Sequence, residues 1–292
     1  MNIKERLIRL HHSPHVTRPL LKRWLRSDPG LKQAFNQSPK DLSSSLNISL
    51  KRATIIYNHI HDPNIMKKVD HFLKEYAIIT WFDQSYPPLF KTIPDPPLVL
   101  YLMGDPSLIH APKGLSVIGT RTPSRDAYSA MKEILLPIID QGFVLVSGMA
   151  KGIDQYAHHL SIKNGGKTIA ILGSGFHHIY PRNDISLYHR LASEQLVMSE
   201  YPPDRSPQKY HFPERNRLIS GLTWSTFVVE ARLRSGSLIT VDQALEQGRE
   251  VFAMPGRPGS PTSEGCHQMI NDGAKLVHNA RDLLIEWSEK FE

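Results

Sequence analysis

A single cysteine, Cys266, is all the thiol this 292-residue chain carries. That excludes a disulfide framework and any multi-cysteine metal site. No apolar run reaches membrane-spanning length. The opening residues, MNIKERLIRLHH, lack the apolar core and small-residue cleavage site of a secretory signal. The cytoplasm is therefore the expected compartment. Catalytic signatures are also missing: there is no Walker A lysine pattern, no catalytic-cysteine context and no paired carboxylates beside the glycine loops. No recognition-helix or zinc-finger signature is found either, and two adjacent histidines (177 and 178) have no further ligands at metal spacing. No metal or cofactor is expected. The larger part of the chain also has little excess charge. Residues 1–76 hold 14 Lys+Arg against 6 Asp+Glu, whereas residues 77–292 hold 21 against 22, so the formal net charge of +7 sits entirely in the first quarter. A polyanion site in the larger part must then come from local clustering of basic side chains.

The composition, 40% hydrophobic and 22% charged, is that of a globular protein. Within residues 1–76, Leu7, Leu10, Leu20, Leu21, Trp24 and Leu25 recur at helical spacing. Thr17 is placed to cap RPLLKRWLR. Residues 49–61 put Leu50, Ala53, Ile56, Tyr57 and Ile60 on one side of a further helix, and Asp62-Pro63 restarts the chain with proline in a first turn. This region is expected to be a small all-helical domain. Its basic surface is either simply solvated or a DNA contact.

Residues 77–112 are proline-rich, yet they hold two strand-like runs, 77–81 and 98–102. A flexible linker would not carry them, so they are expected to join the sheet that follows. From Gly114 strands and helices alternate. Strands are expected at 115–118, 143–146, 167–172, 195–198, 226–230 and 251–254. Helices are expected at 124–140 (broken or ended near Pro137), 153–164, 184–193, a stretch containing 216–221, and 240–247, closed by Gly248. The predicted fold of residues 77–292 is α/β: a Rossmann-like doubly wound, mostly parallel sheet with helices on both faces. Ligands bind such sheets beyond the strands' C-terminal ends, and every glycine motif here follows a strand.

Small-residue turns between strand and helix leave backbone N–H groups free at a positive helix end, where anions bind. Gly119-Thr120-Arg121 lets a ligand approach the backbone and offers a guanidinium that can fork onto phosphate; alone it is equally a turn with a surface arginine. Ser147, Gly148 and Lys151 suggest an anion nest with a point charge, and Asp154 either orients that loop or merely adds charge at a helix start. Gly173-Ser174-Gly175 resembles the start of a dinucleotide fingerprint, but His178 stands where the third glycine belongs. Phe176, His177, His178 and Tyr180 offer faces for stacking bases, although Tyr180 could equally pack beside Pro181. Arg182 and Asn183 suit backbone contacts. Asn216 can cap the following helix. Arg215 and Arg217, near Arg232, suit phosphate, while Arg215 could instead pair with Glu214 or Glu230. Ser235, Gly236 and Ser237 should receive phosphate at the next helix start. The arginines and amides of these loops are expected to converge on one rim, with Arg121, Lys151, Gly173 and Arg217 facing the same way. Apolar residues from 265 to 287 read as core.

These blocks together resemble the DprA/Smf family of DNA-processing proteins. The resemblance spans residues 80–280 and rests on SVIGTR (116–121), SGMAKGID (147–154), ILGSGFHHIYPRN (171–183), SEYPPD (199–204), FPERNRLISGL (212–222), VVEARLRSGSLIT (228–240) and GREVFAMPG (248–256). Lys151 stands where arginine is common in the family, and Val241 where alanine is common. The resemblance implies binding of single-stranded DNA, loading of the RecA recombinase onto it during natural transformation, displacement of a single-strand DNA-binding protein, and self-association. Met269, Ile270 and Leu276 are taken as part of the homodimer interface. It also implies a helical domain like a sterile alpha motif at the N-terminus. A C-terminal winged-helix extension, found in some members, is expected to be absent. Two other readings stand beside it: a nucleotide or nucleoside-phosphate hydrolase on a similar sheet, and a structural double-strand binder.

Overall fold

The computed structural model describes residues 1–291, in two compact units. The smaller comprises residues 1–86 and 97–101. Its helices are α1 (Ile3–His12), α2 (Arg18–Ser27), α3 (Gln33–Asn36), α4 (Pro39–Leu46), α5 (Leu50–His61) and α6 (Pro63–Glu75), followed by strand β1 (Ala77–Thr80). Local chemistry sets the boundaries. Asn2 with Glu5 and Ser38 with Asp41 form capping boxes at α1 and α4, and Ser49 and Asp62 cap α5 and α6. Thr17 precedes α2, but its side chain makes no cap bond. Leu7, Leu10, Leu21, Trp24, Ile56 and Phe72 are buried.

The unit boundary differs from the composition break at residue 76. Trp81 N–H donates to the Leu98 carbonyl at 3.0 Å, and the Tyr86 hydroxyl donates to the Pro97 carbonyl at 2.6 Å. These bonds tie the chain just after β1 to residues 97 and 98. Strand β2 (Val99–Gly104) carries the chain out of the smaller unit, and α7 (Pro88–Lys91) belongs to the larger one.

The larger unit alternates β3 (Gly114–Ile118), α8 (Arg125–Asp140), β4 (Val144–Ser147), α9 (Ile153–Lys163), β5 (Lys167–Leu172), α10 (Ile185–Glu194), β6 (Leu196–Ser199), α11 (His211–Gly221), β7 (Ser225–Val228), α12 (Gly236–Glu246), β8 (Glu250–Ala253), α13 (Glu264–Asn271), β9 (Lys275–Leu276) and α14 (Ala280–Phe291). Its strands lie in the order β6-β5-β4-β3-β7-β8-β9, and each of these pairs is parallel. This is the expected doubly wound α/β fold. Alternation along β3 assigns the two faces. Leu115 and Val117 enter a core with α8, α9 and Leu283, whereas Ser116 faces the other way and donates to the Ile219 carbonyl of α11 at 2.7 Å.

Strand order reverses beside β3, which pairs with both β4 and β7. The crevice of such a sheet opens there, beyond the strand ends. The loops after β3, β4 and β7 therefore surround it. α8 runs on through Pro137 to Asp140. α11 begins at His211, so Asn216 lies inside the helix and caps nothing. α12 begins at Gly236, four residues before the expected start. α13, β9 and α14 lie where the sequence shows apolar residues without a clear period.

Candidate nucleic-acid interface

Two backbone bonds pin the turn after β3. Thr120 N–H donates to the Glu230 carbonyl at 2.7 Å, and Ile153 N–H donates to the Thr120 carbonyl at 3.2 Å. With the main chain held, Arg121 projects outward, exposed and without a hydrogen bond or ion pair among the described residues. The turn after β4 presses against it. Gly152 has φ +93°, and a Cβ there would meet the Thr120 carbonyl oxygen at 2.5 Å, so only glycine fits. Lys151 beside it is exposed and equally unpaired.

Arg215 reaches under these turns from α11. It is buried, and its Nη1 donates to the Gly148 and Ile171 carbonyls. Burial pushes its guanidinium down to about 10, despite the nearby Asp154 carboxylate. Asp154 is itself buried and accepts the Ala150 N–H at 3.2 Å. Burial pushes its carboxyl above the usual range, and Arg215 opposes that shift. The pair forms the floor of the crevice.

On the far wall, Ser235 stands at the N-cap of α12, but its hydroxyl caps nothing and has no partner among the described residues. Ser237 Oγ donates to the Gly119 carbonyl at 3.0 Å and locks α12 to the β3 turn. The crevice between these walls holds about 590 Å³. Arg121, Lys209 and Arg232 line it, all exposed and unpaired among the described residues. Tyr180, 50% exposed, stands over it with its ring 5.3 Å from Phe212. Arg121 also lines an adjoining depression of about 360 Å³, which holds Lys151, Asn183, and the edge-to-face rings of Tyr128 and Tyr156, 4.5 Å apart. Its other edge carries His159 Nε2, 2.6 Å from Asp184 Oδ2.

Of the residues expected to contact a strand, Gly119, Thr120, Arg121, Tyr180, Arg215, Asn216, Ser235, Gly236 and Ser237 line the crevice, and Lys151 and Asn183 line the depression. Arg182 and His177 are exposed but line neither. Several others are spent inside the fold. Arg217 is buried, with Nη2 at 2.6 and 2.8 Å from the two oxygens of buried Glu200, and Nε at 3.4 Å from Asp95. Ser147 is buried and donates to the Val117 carbonyl at 2.6 Å, and Gly148 packs on Arg215.

The Gly173-Ser174-Gly175 turn is not an open cradle. Gly175 N–H donates to the Arg205 carbonyl at 2.8 Å, and His177 N–H donates to the Pro203 carbonyl at 2.9 Å. Ser174 Oγ donates to the His178 carbonyl at 2.8 Å, Gly173 lies against the Phe212 ring, and Phe176 is 3% exposed. The 202–205 segment has taken the amides that a phosphate would need. So of the four residues expected on one rim, Arg121 and Lys151 share the depression, while Gly173 and Arg217 line neither cavity. Met269 is buried and Ile270 half-buried, while Leu276 on β9 is 46% exposed. Lys209 and Phe212 were not anticipated, although interleaved basic and aromatic residues, Lys209-Tyr210-His211-Phe212, signal a strand-binding surface.

The sequence model of the DNA recombination-mediator protein A family matches residues 77–288. DNA processing protein DprA of Bacillus subtilis is 44% identical over 207 residues, covering 71% of this chain and 70% of that one. DprA of Streptococcus pneumoniae is 40% identical over 231 residues, covering 79% and 80%. The X-ray structure of the pneumococcal protein superposes with a TM-score of 0.86 at 34% identity, over 98% of this chain and 99% of that one. DNA processing protein A from Helicobacter pylori, whose structure is described as giving insight into its single-stranded DNA binding mode, superposes with a TM-score of 0.67 at 26% identity, over 75% and 98%. With a match that takes in the whole crevice and relatives this similar on either side of it, the chain belongs to the DNA recombination-mediator protein A family, the DprA/Smf proteins.

Proposed function

We propose that this protein binds single-stranded DNA in the crevice and acts as a recombination mediator. In this reading it protects incoming DNA, displaces a single-strand DNA-binding protein and loads RecA during natural transformation. It works in the cytoplasm as a homodimer, and Leu276 on the edge strand β9 is the one exposed member of the three residues assigned to that contact. The observation that carries the binding reading is the set of exposed, unpaired cations, Arg121, Lys209 and Arg232 in the crevice and Lys151 in the depression sharing Arg121. Residues 77–292 hold 21 Lys+Arg against 22 Asp+Glu with these four included, so the cations stand out by their placement. Four cations spread over two adjoining cavities suit a run of phosphates better than a single one. Tyr180 adds a face on which any base can stack. The Helicobacter relative is described by its single-stranded DNA binding, which supports the same reading.

We read the protein as a binder, not an enzyme. The one buried carboxylate in the crevice, Asp154, is held by the Ala150 amide and faces Arg215, an anchoring role. The test is competition between single- and double-stranded oligonucleotides of equal length, with nucleotide turnover followed in parallel. Single strands should win with no turnover. Equal competition or saturable hydrolysis overturns the reading.

A further inference from the structure

A third cleft, of about 500 Å³, lies between the start of α8 and residues 254–263. Glu230, just past β7, joins it to the crevice. Its carbonyl holds the Thr120 amide of the crevice turn, while its side chain lines the third cleft. The residue is 4% exposed, and its Oε2 accepts the Ser124 N–H at 2.9 Å. Its Oε1 has no donor among the described residues and is not sealed from solvent. A carboxylate oxygen with no protein donor, reached only by solvent, is an open acceptor, so the floor of this cleft can take an N–H or O–H group. Ala127, Ala130, Val229 and the polarisable Met254 give it an apolar side, and Ser124, Ser260 and Ser263 line it as well. At the mouth, Arg257 and Asp126 pair at 3.1 Å, both largely exposed, a contact too weak to hold the cleft shut.

We propose that this cleft is a nucleobase pocket that prefers guanine. The proposal rests on the reading that a single strand occupies the adjoining crevice. An apolar side facing the buried Glu230 carboxylate suits a planar ring with donors on its edge. Guanine presents N1–H and the 2-amino group side by side, matching two carboxylate oxygens. Adenine and cytosine set an acceptor beside their amine, and thymine flanks its single N–H with two carbonyls. Guanine alone sets two adjacent donors against the two oxygens of Glu230.

The experiment compares a dT 20-mer with the same strand carrying one central dG, dI or dA. The dG strand should bind on the order of tenfold more tightly, the size of one well-formed base contact. The dI strand, lacking the 2-amino group, should recover only part of that gain, and dA none. Glu230→Gln keeps an acceptor for Ser124 and the side chain's shape, so the fold should survive, as thermal unfolding will check; the dG preference should vanish. Ala130→Leu, which fills the cleft without touching Glu230, should abolish the preference and leave dT affinity intact. Equal binding of dG and dT strands by the wild type, or a preference that survives both variants, overturns the pocket and leaves the single-strand reading standing. Failure of every strand to bind overturns that reading instead.

Discussion

Arg121 and Arg217 both stand in glycine- or asparagine-flanked basic motifs, and both suit phosphate on sequence grounds. The structure separates them. Arg121 is exposed and unpaired at the crevice, whereas Arg217 is buried against Glu200 and Asp95. An arginine serves a polyanion only when the fold leaves its guanidinium without a carboxylate. That is decided by the partner's position, here a glutamate 17 residues upstream, not by the arginine's neighbours in sequence.

The largest effect should come from breaking the buried side of this comparison. Arg217→Ala removes the guanidinium paired with buried Glu200, a loss of about 3–5 kcal/mol in unfolding free energy. Urea denaturation measures it. The fraction that remains folded should bind oligo-dT nearly as well as the wild type. A strong loss of binding with unchanged stability would put Arg217 at the strand after all.

The second effect separates interior from rim by pH. His158 is fully buried on α9, with Nδ1 2.7 Å from Thr168 Oγ1. Burial, with smaller contributions from His159 and Arg215, drives its imidazole down to about 3. In the unfolded chain it titrates near 6.5. Below that pH the unfolded state takes up a proton that the folded state refuses, so stability falls as pH drops from about 6.5 toward 3, by at most about 1.4 kcal/mol per unit. His158→Gln should flatten that slope in a series of denaturation curves. A slope unchanged in the variant would assign it to other groups.

On the rim, Tyr180→Ala should weaken oligo-dT binding by about 1–3 kcal/mol, the value of one stacked base. Stability should barely change, because the ring is half exposed beside Phe212. Equal affinity for the variant would make Tyr180 a packing partner of Phe212 only.

Much of the scaffold could be read from the sequence. The 167–172 strand was placed to the residue and its parallel neighbours nearly so, because buried parallel strands leave short apolar runs closed by turn residues. The site was less legible. Arg121, Lys151 and the Ser235–Ser237 turn line the crevice or its adjoining depression, where small residues after a strand point. The Gly173-Ser174-Gly175 turn misled because the same pattern serves two ends: it can face an anion or another stretch of backbone. Here the 202–205 segment occupies it, a pairing across about 30 residues that no local pattern announces. Lys209 and Phe212 were overlooked for a related reason. Phe212 becomes a crevice residue because α11 begins at His211 and sets its ring beside Tyr180, and Lys209, two residues before that helix, lines the same crevice.

The smallest change in stability, and the most telling in binding, belongs to Arg121. Its side chain has no hydrogen bond or ion pair among the described residues, while its backbone neighbours hold the turn, so Arg121→Ala should leave unfolding within about 0.5 kcal/mol. Binding should respond differently. Each cation that neutralises a phosphate releases condensed counterions, and losing one should flatten the slope of log affinity against log salt by about 0.7 for a single strand. Lys151→Ala should do the same to a similar extent, since both side chains border one depression. The double variant should lose roughly twice that slope if the strand touches both. A slope that falls for Arg121 but not for Lys151 would confine the strand to the crevice and leave the adjoining depression outside its path.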